Sequence, residues 1–296
     1  AATLDIDVNA KYNNGWTGFH QACQSGNANV VQIFMENATP LNIDLNGKFN
    51  YIRTGFHLAS KKGHSDVVKI LTENASILSL DLNAKTKNGN TAFYLACQVG
   101  HSDVVKNFMQ NVADFSIDFS AVDNNGYTAF HAACLDGHAD IIKILIQNAA
   151  ISSIDLNAKI NTGNTAFHFA CQRGHADVVK LFIQNAADLS IDLNTIDNDG
   201  KTAFHLACQR GHSDVVKIFM ENAATLNIDL NIKNKNGLTS FHHACLHGHS
   251  HVIKIFMDSE YLISASALRI DCNGKDNYGY TAFHYVCQGG KLGLVK

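Results

Sequence analysis

The order of apolar and polar positions along this chain changes every few residues, and one stretch shows the whole pattern. Thr202 is a good helix N-cap, and Phe204, Ala207 and Cys208 follow at the i, i+3, i+4 spacing that lines one helical face. Gly211 stops this first short helix. A second begins near Ser213-Asp214, where a hydroxyl can cap and a carboxylate meets the positive end of the helix dipole. Val215, Val216, Phe219 and Met220 recur at helical spacing, and Asn222 suits the left-handed residue that ends many helices. From Leu226 onward Leu and Ile alternate with Asn and Asp, and the stretch closes on Lys235-Asn236-Gly237, a turn that favours a hairpin-like connection. The predicted unit is helix, tight turn, helix, with a hairpin projecting from one edge.

That unit repeats. Thr-Ala-Phe-His stands at Thr128, Thr165, Thr202 and Thr281, with near copies at Thr17, Thr54, Thr91 and Thr239; the first six intervals are 37 residues and the last is 42. Gly-His-Ser/Ala-Asp-Val-Val-Lys returns in phase at Gly63, Gly100, Gly174 and Gly211, with variants at Gly26, Gly137, Gly248 and Gly290. Each unit also carries Asp-Leu-Asn or a close variant, such as Asp81-Leu82-Asn83 and Asp192-Leu193-Asn194. One frame holds all three strings, so the chain is one eight-fold array.

These residues resemble the ankyrin repeat, whose pattern runs Asp-x-x-Gly-x-Thr-Pro-Leu-His-x-Ala-Ala and then Gly-His-x-x-Val-Val; the stretch from Asp197 to Cys208 is a good instance. The resemblance implies an all-α solenoid of helix-turn-helix units joined by hairpin-like loops. The usual unit has 33 residues, so four extra are expected between the second helix and the hairpin. The family's Pro after Thr is Ala, Gly or Ser here, which still propagates a helix, and its Leu is Phe, which predicts a bulkier core. Ile52 stands where the hairpin has Gly and predicts a remodelled turn, because a β-branched residue is strained at positive φ. Ser60 replaces the periodic Cys. Five extra residues between Met257 and Asn273 predict a longer second helix or a protruding loop around Ser259 to Ala267.

A single domain, 1–296, is expected, with units at 10–46, 47–83, 84–120, 121–157, 158–194, 195–231, 232–273 and a truncated 274–296; residues 1–9 align with the tail of a preceding repeat. The last unit stops at Lys296, early in a second helix. A solenoid normally carries polar terminal repeats, so the expectation is a fragment of a longer array, with end-to-end self-association through its uncapped ends.

Composition narrows the chemistry. With 46% apolar and 17% charged residues and a net charge of −3, the chain has material for a core and no basic stripe able to neutralise a row of phosphates, which argues against nucleic acid. Its apolar runs are short, as at Ile141 to Ile146 broken by Lys143, so no membrane insertion is expected. No Gly-rich phosphate loop, Gly-x-Ser-x-Gly elbow or His-Glu-x-x-His helix occurs, so neither catalysis nor a cofactor is expected.

Histidine and cysteine follow the repeat. Of 16 histidines, His20, His57, His131, His168, His205, His242 and His284 stand in Thr-x-x-His, and His64, His101, His138, His175, His212 and His249 in Gly-His. A catalytic site needs one general base, whereas these recur every period, as structural hydrogen-bonding groups do. Seven of the eight cysteines share one small-residue position on the first helix. Stacked helices lie ~8–10 Å apart, beyond the ~7 Å Cα reach of a disulfide, so they read as buried free thiols, in keeping with a reducing cytoplasm. His243 and His247 break the periodicity; their i, i+4 spacing can present two imidazoles to Zn²⁺, but no carboxylate or second Cys accompanies them, and a surface patch sensitive to mild acid is the expectation.

In the family, partners bind the hairpin tips and the exposed sides of the first helices, a concave face. The resemblance therefore implies a protein-recognition scaffold whose partner is another protein. Carried over, the site positions are the residues before Thr (Trp16, Arg53, Asn90, Tyr127, Lys201, Leu238, Tyr280) and those after the Cys position (Val99, Leu135, Asp136, Arg173, Arg210). They vary where the framework repeats, and Trp16 and Tyr127 are the expected aromatic anchors. Two other readings remain open. The array could be a spacer in a larger protein, or the substrate of an asparaginyl hydroxylase, since Asn46, Asn83, Asn157, Asn194 and Asn231 resemble the position such enzymes modify.

Overall fold

The computed structural model describes residues 6–13, 15–49, 53–110, 117–257 and 270–289. The expectations for Ile52, for Ser259 to Ala267 and for the helix closing at Lys296 fall outside these. The described residues are helical, with no strand among them. The chain divides into two compact units, Ala1–Asp155 and Leu156–Lys296.

The first unit contains α1 (Gly18–Ser25), α2 (Ala28–Glu36), α3 (Gly55–Lys62), α4 (Ser65–Glu73), α5 (Ala92–Val99), α6 (Ser102–Gln110), α7 (Ala129–Asp136) and α8 (Ala139–Ser152). Odd-numbered helices stack in one row and even-numbered ones in a second, α1 on α3 on α5 on α7 and α2 on α4 on α6 on α8. The second unit repeats the plan with α9 (Ala166–Arg173), α10 (Ala176–Asn185), α11 (Ala203–Arg210), α12 (Ser213–Asn222), α13 (Ser240–His247), α14 (Ser250–Met257) and α15 (Ala282–Gln288).

The bulky Phe position builds the core between the rows. In the second unit the rings zigzag: Phe167 meets Phe182 at 5.0 Å and Phe219 at 5.7 Å, Phe204 meets Phe219 at 4.9 Å and Phe256 at 5.9 Å, and Phe241 meets Phe256 at 4.9 Å. Each first-helix ring thus packs on its own second helix and, where a next one follows, on the next. Small residues let the first helices approach: Ala170, Cys171, Ala207 and Cys208 are fully buried. Cys287 departs from the buried-thiol expectation and is exposed, since no described helix stacks on the far side of α15.

Both ends of the first helix are closed as the sequence predicts. Thr202 sits at the N-cap with extended backbone; its Oγ1 accepts from His205 N–H, while the Thr202 N–H donates to His205 Nδ1. At the other end Gly211 has φ 78°, and a Cβ there would also come within 2.5 Å of His249 Nδ1 in the following repeat, so glycine is required by conformation and by close approach together.

The second helix corrects two expectations. Its N-cap is His64, His138, His175 or His212 rather than Ser or Asp, and no side chain caps it. Nor does Asn222 adopt the left-handed conformation: it stays helical and donates from Nδ2 to the Ile218 carbonyl at 2.8 Å, as Asn74 does to Ile70. That bond adds a second donor to a carbonyl that at Ile70 already accepts the Asn74 N–H at 3.3 Å, and the chain winds one turn further. The left-handed residue comes five positions later, at Asn42, Ser79, Ser153, Ser190 and Asn227, with φ between 48° and 54°. There the next N–H reaches back to close the turn, Ile228 to the Ala223 carbonyl at 2.9 Å. The four extra residues of the 37-residue unit make this turn, and in α8 they are continuous helix.

Candidate functional site

The polar groups of the hairpin tips are used inside the framework. Asp197 Oδ1 accepts from the N–H groups of Asp199 and Lys201 at 2.9 and 2.8 Å; Asp123 does the same for Asn125 and Tyr127, and Asp276 for Tyr278 and Tyr280. Isolated antiparallel bridges, Val122 with Thr128 and Ile196 with Thr202, close the hairpins. Neighbouring tips are tied as well: Asn198 donates from N–H to the Thr162 carbonyl and from Nδ2 to the Asn161 carbonyl, both at 3.0 Å, and Asn124 makes the equivalent pair with Asn88 and Lys87.

Both histidine series are stitches between repeats. Because Nδ1 of the Thr-x-x-His ring accepts a backbone N–H, its proton is on Nε2, which donates forward: His57 to the Asn90 carbonyl, His168 to Lys201 and His205 to Leu238, at 3.1 to 3.3 Å. The Gly-His ring donates backward, His64 to Gln24, His212 to Gln172 and His249 to Gln209, at 2.8 to 2.9 Å, satisfying carbonyls at the end of a first helix. Burial pushes His57 and His205 down to about 4, which keeps these rings neutral at physiological pH.

The candidate residues fall into two groups. Those before Thr lie partly under the surface, with their backbones held by the tip bonds above. Trp16 is half-buried with its ring 4.8 Å from Phe49, and Tyr127 is half-buried edge-on to His131 at 6.0 Å, so neither is the exposed anchor expected. Arg53 and Asn90 are half-buried. Lys201 is half-buried with Nζ 3.3 Å from Gln209 Oε1. Leu238, only 8% exposed, is a core residue and offers a partner little. Tyr280 is 48% exposed. At the ends of the first helices, by contrast, Val99, Asp136, Arg173 and Arg210 are exposed and Leu135 is half-buried.

Sequence reasoning overlooked the polar floor between these groups. In the second unit a groove of about 430 Å³ runs from the hairpins past Asn164 and Gln172 to Lys201, Gln209 and Arg210. Its signal was the Gln that follows Cys in Gln24, Gln98, Gln172, Gln209 and Gln288. His243 is a further correction. It is 4% exposed, accepts from Asn234 Nδ2 at 3.1 Å, and lies parallel to His247 at 6.3 Å, so the pair is a stack running from core to surface rather than a surface patch. Burial pushes His243 down to about 3. Among the described residues no three His, Cys, Asp or Glu side chains are grouped to hold a metal ion. None of the described helices is long and apolar enough to cross a membrane.

A family model for ankyrin repeats in three copies matches residues 2–81, 56–159, 149–229 and 224–296, and the chain belongs to the ankyrin repeat family. Among solved structures, the ankyrin repeat domain of Bcl-3, described as a unique member of the IkappaB protein family, is 22% identical and superposes with a TM-score of 0.68 over 83% of this chain and all of that one. That likeness shows the fold. No curated protein matches the chain. Ankyrin repeats generally mediate protein–protein interaction and are typically non-enzymatic modules.

Proposed function

We propose that the chain is a recognition scaffold that binds another protein across the hairpin tips and the exposed ends of the first helices. The observation that carries this is a contrast found within each of the two units. Thr54 with His57, Thr202 with His205 and Thr239 with His242 make the same cap, while the residues at the first-helix ends beside such caps run from half-buried Lys61 and exposed Lys62 to Val99 and Asp136 in the first unit and from Arg173 and Arg210 to His247 in the second. A surface that differs at each step over a constant frame can present distinct chemistry to successive parts of one partner. In the first unit the site residues are Val99 and Asp136, flanked by half-buried Trp16, Arg53, Asn90, Tyr127 and Leu135; in the second they are Arg173, Arg210 and Tyr280, flanked by half-buried Lys201.

The test is crosslinking of the full chain to partners from its native source, with contact sites located by mass spectrometry. Crosslinks concentrated on the first-helix ends and hairpins support the proposal. Crosslinks concentrated on α2, α4, α10 and α12 would move the site to the second helices.

A further inference from the structure

Resting on that reading, we infer that the groove of the second unit takes an acidic, extended segment of the partner protein, with Arg173 and Arg210 each holding one carboxylate. The chain has four arginines, Arg53, Arg173, Arg210 and Arg269, against nineteen lysines. Two of the four occupy the same place in consecutive repeats, as the last residues of α9 and α11. A cation there complements the helix dipole, but lysine does that equally well, as Lys62 does at the end of α3. What arginine adds is a planar fork that binds a carboxylate through two parallel hydrogen bonds.

Both guanidinium groups are available. Arg173 and Arg210 are exposed, and neither has an ion pair or a side-chain hydrogen bond among the described residues. They also stand together over a recess. A hollow of about 380 Å³ is lined by Gln172, Arg173, Arg210 and His212, and it shares Gln172 and Arg210 with the groove of about 430 Å³. The amides of Asn164, Gln172 and Gln209 give that groove donors and acceptors suited to a peptide backbone. Among the described residues neither of its two carboxylates is ion-paired with an arginine, and Asp197 Oδ1 accepts the backbone N–H groups of Asp199 and Lys201.

The repeat spacing sets the register of the occupant. Stacked helices lie ~10 Å apart, which matches one turn of a polyproline II segment at three residues and ~3.1 Å each, with side chains i and i+3 on the same side. A carboxylate at every third position would meet both forks. A single-stranded nucleic acid fits less well, because the described lining of the groove has no aromatic side chain on which bases could stack.

The test is fluorescence anisotropy on the full chain with a labelled Gly/Ser/Pro peptide bearing glutamate at every third position, its glutamine counterpart, and labelled oligothymidylate. The acidic peptide should bind, weaken as salt is raised, and outcompete its glutamine counterpart by about tenfold or more. The double substitution Arg173→Gln with Arg210→Gln should lose about the same factor, Arg173→Lys with Arg210→Lys part of it, and Lys61→Gln with Lys62→Gln in the first unit none. Equal binding of the two peptides, undiminished binding by the double glutamine variant, no binding of the acidic peptide, or tighter binding of oligothymidylate would each overturn the assignment. If the acidic peptide fails while partner crosslinks still map to the first-helix ends, the acidic-segment inference falls and the scaffold reading stands.

Discussion

Asn194 reaches out of its own repeat to hold the left-handed residue of the next. Its Nδ2 donates to the Asn227 carbonyl at 3.0 Å, and its Oδ1 accepts the Asp229 N–H at 2.9 Å. Asn9, Asn46 and Asn157 make the same two bonds to the repeats that follow them. The asparagine that resembles a hydroxylase target is thus a rung between repeats. Asn194→Ala should cost about 1–2 kcal/mol, two partly solvated hydrogen bonds at their usual net value, and Asn194→Asp should cost more because a carboxylate then faces the Asn227 carbonyl. Urea titration gives both values; an aspartate variant as stable as wild type would mean that the Nδ2 bond contributes nothing.

The buried histidines give the fold a pH dependence whose sign follows from their tautomer. His205 Nδ1 accepts the Thr202 N–H, Nε2 donates to Leu238, and burial pushes the ring down to about 4, as it does His57. In the unfolded chain each ring takes up a proton near pH 6.5, while the folded ring refuses it until about pH 4. Stability present at neutral pH is therefore lost as pH falls through that window, on the order of a few kcal/mol per ring, with little further loss from these rings below it. His205→Asn should be less stable than wild type at pH 7 yet show a shallower loss between pH 6.5 and pH 4. Parallel curves for the two proteins in urea midpoint against pH would show that His205 does not titrate in this window.

Phe167 tests how far damage spreads. It is fully buried and touches Phe182 and Phe219, so it joins α9 to its own second helix and to the next. Phe167→Ala should cost ~3–5 kcal/mol through the cavity it leaves. Stability in a repeat array is a sum over neighbours, so amide exchange should accelerate most in α9 and α10, less in α12 and least in α14. A uniform acceleration from α9 to α14 would mean that the second unit opens as one body.

How much of this could be read from residues alone depends on the range of the interaction. Thr202 as cap and Gly211 as stop were legible because the ends of one helix demand those residue types, and the histidines were legible as structural hydrogen-bonding groups because they recur with the period, but the particular partners of His205 were not. The zigzag of Phe rings was legible as a bulkier core, since a 37-residue period places every copy alike. What stayed hidden depends on the neighbouring repeat. Asn222 has the composition of a left-handed helix end, yet its side chain bonds back to Ile218 and the winding continues to Asn227. Leu238 varies like a contact residue, but burial between hairpin and helix is a tertiary fact. The groove over Gln172 and Gln209 exists only once two repeats are stacked, and spacing in a single strand of text does not show a recess.

The face that carries recognition is open to a direct comparison. Val99, Asp136, Arg173 and Arg210 end first helices, are exposed and belong to the varied set, whereas Lys143 and Lys180 are exposed on the second helices α8 and α10. Lys180 is 3.9 Å from Asp177, a surface pair of small energetic value, so replacing it disturbs little of the fold. Once a partner has been isolated, Asp136→Lys or Arg210→Glu should weaken its binding by more than ~1.4 kcal/mol, a tenfold loss, and leave the thermal midpoint within a few degrees of wild type. Lys143→Glu and Lys180→Glu should change binding by less than about twofold, because screening leaves distant surface charges little influence at physiological salt. Tyr127→Ala should lower both binding and stability, since its ring packs on His131, and that joint effect separates a half-buried flank from a free contact residue. Calorimetric titration of these variants decides the matter: loss confined to the lysine variants would put the partner on the second helices and leave the polar groove without a role in binding it.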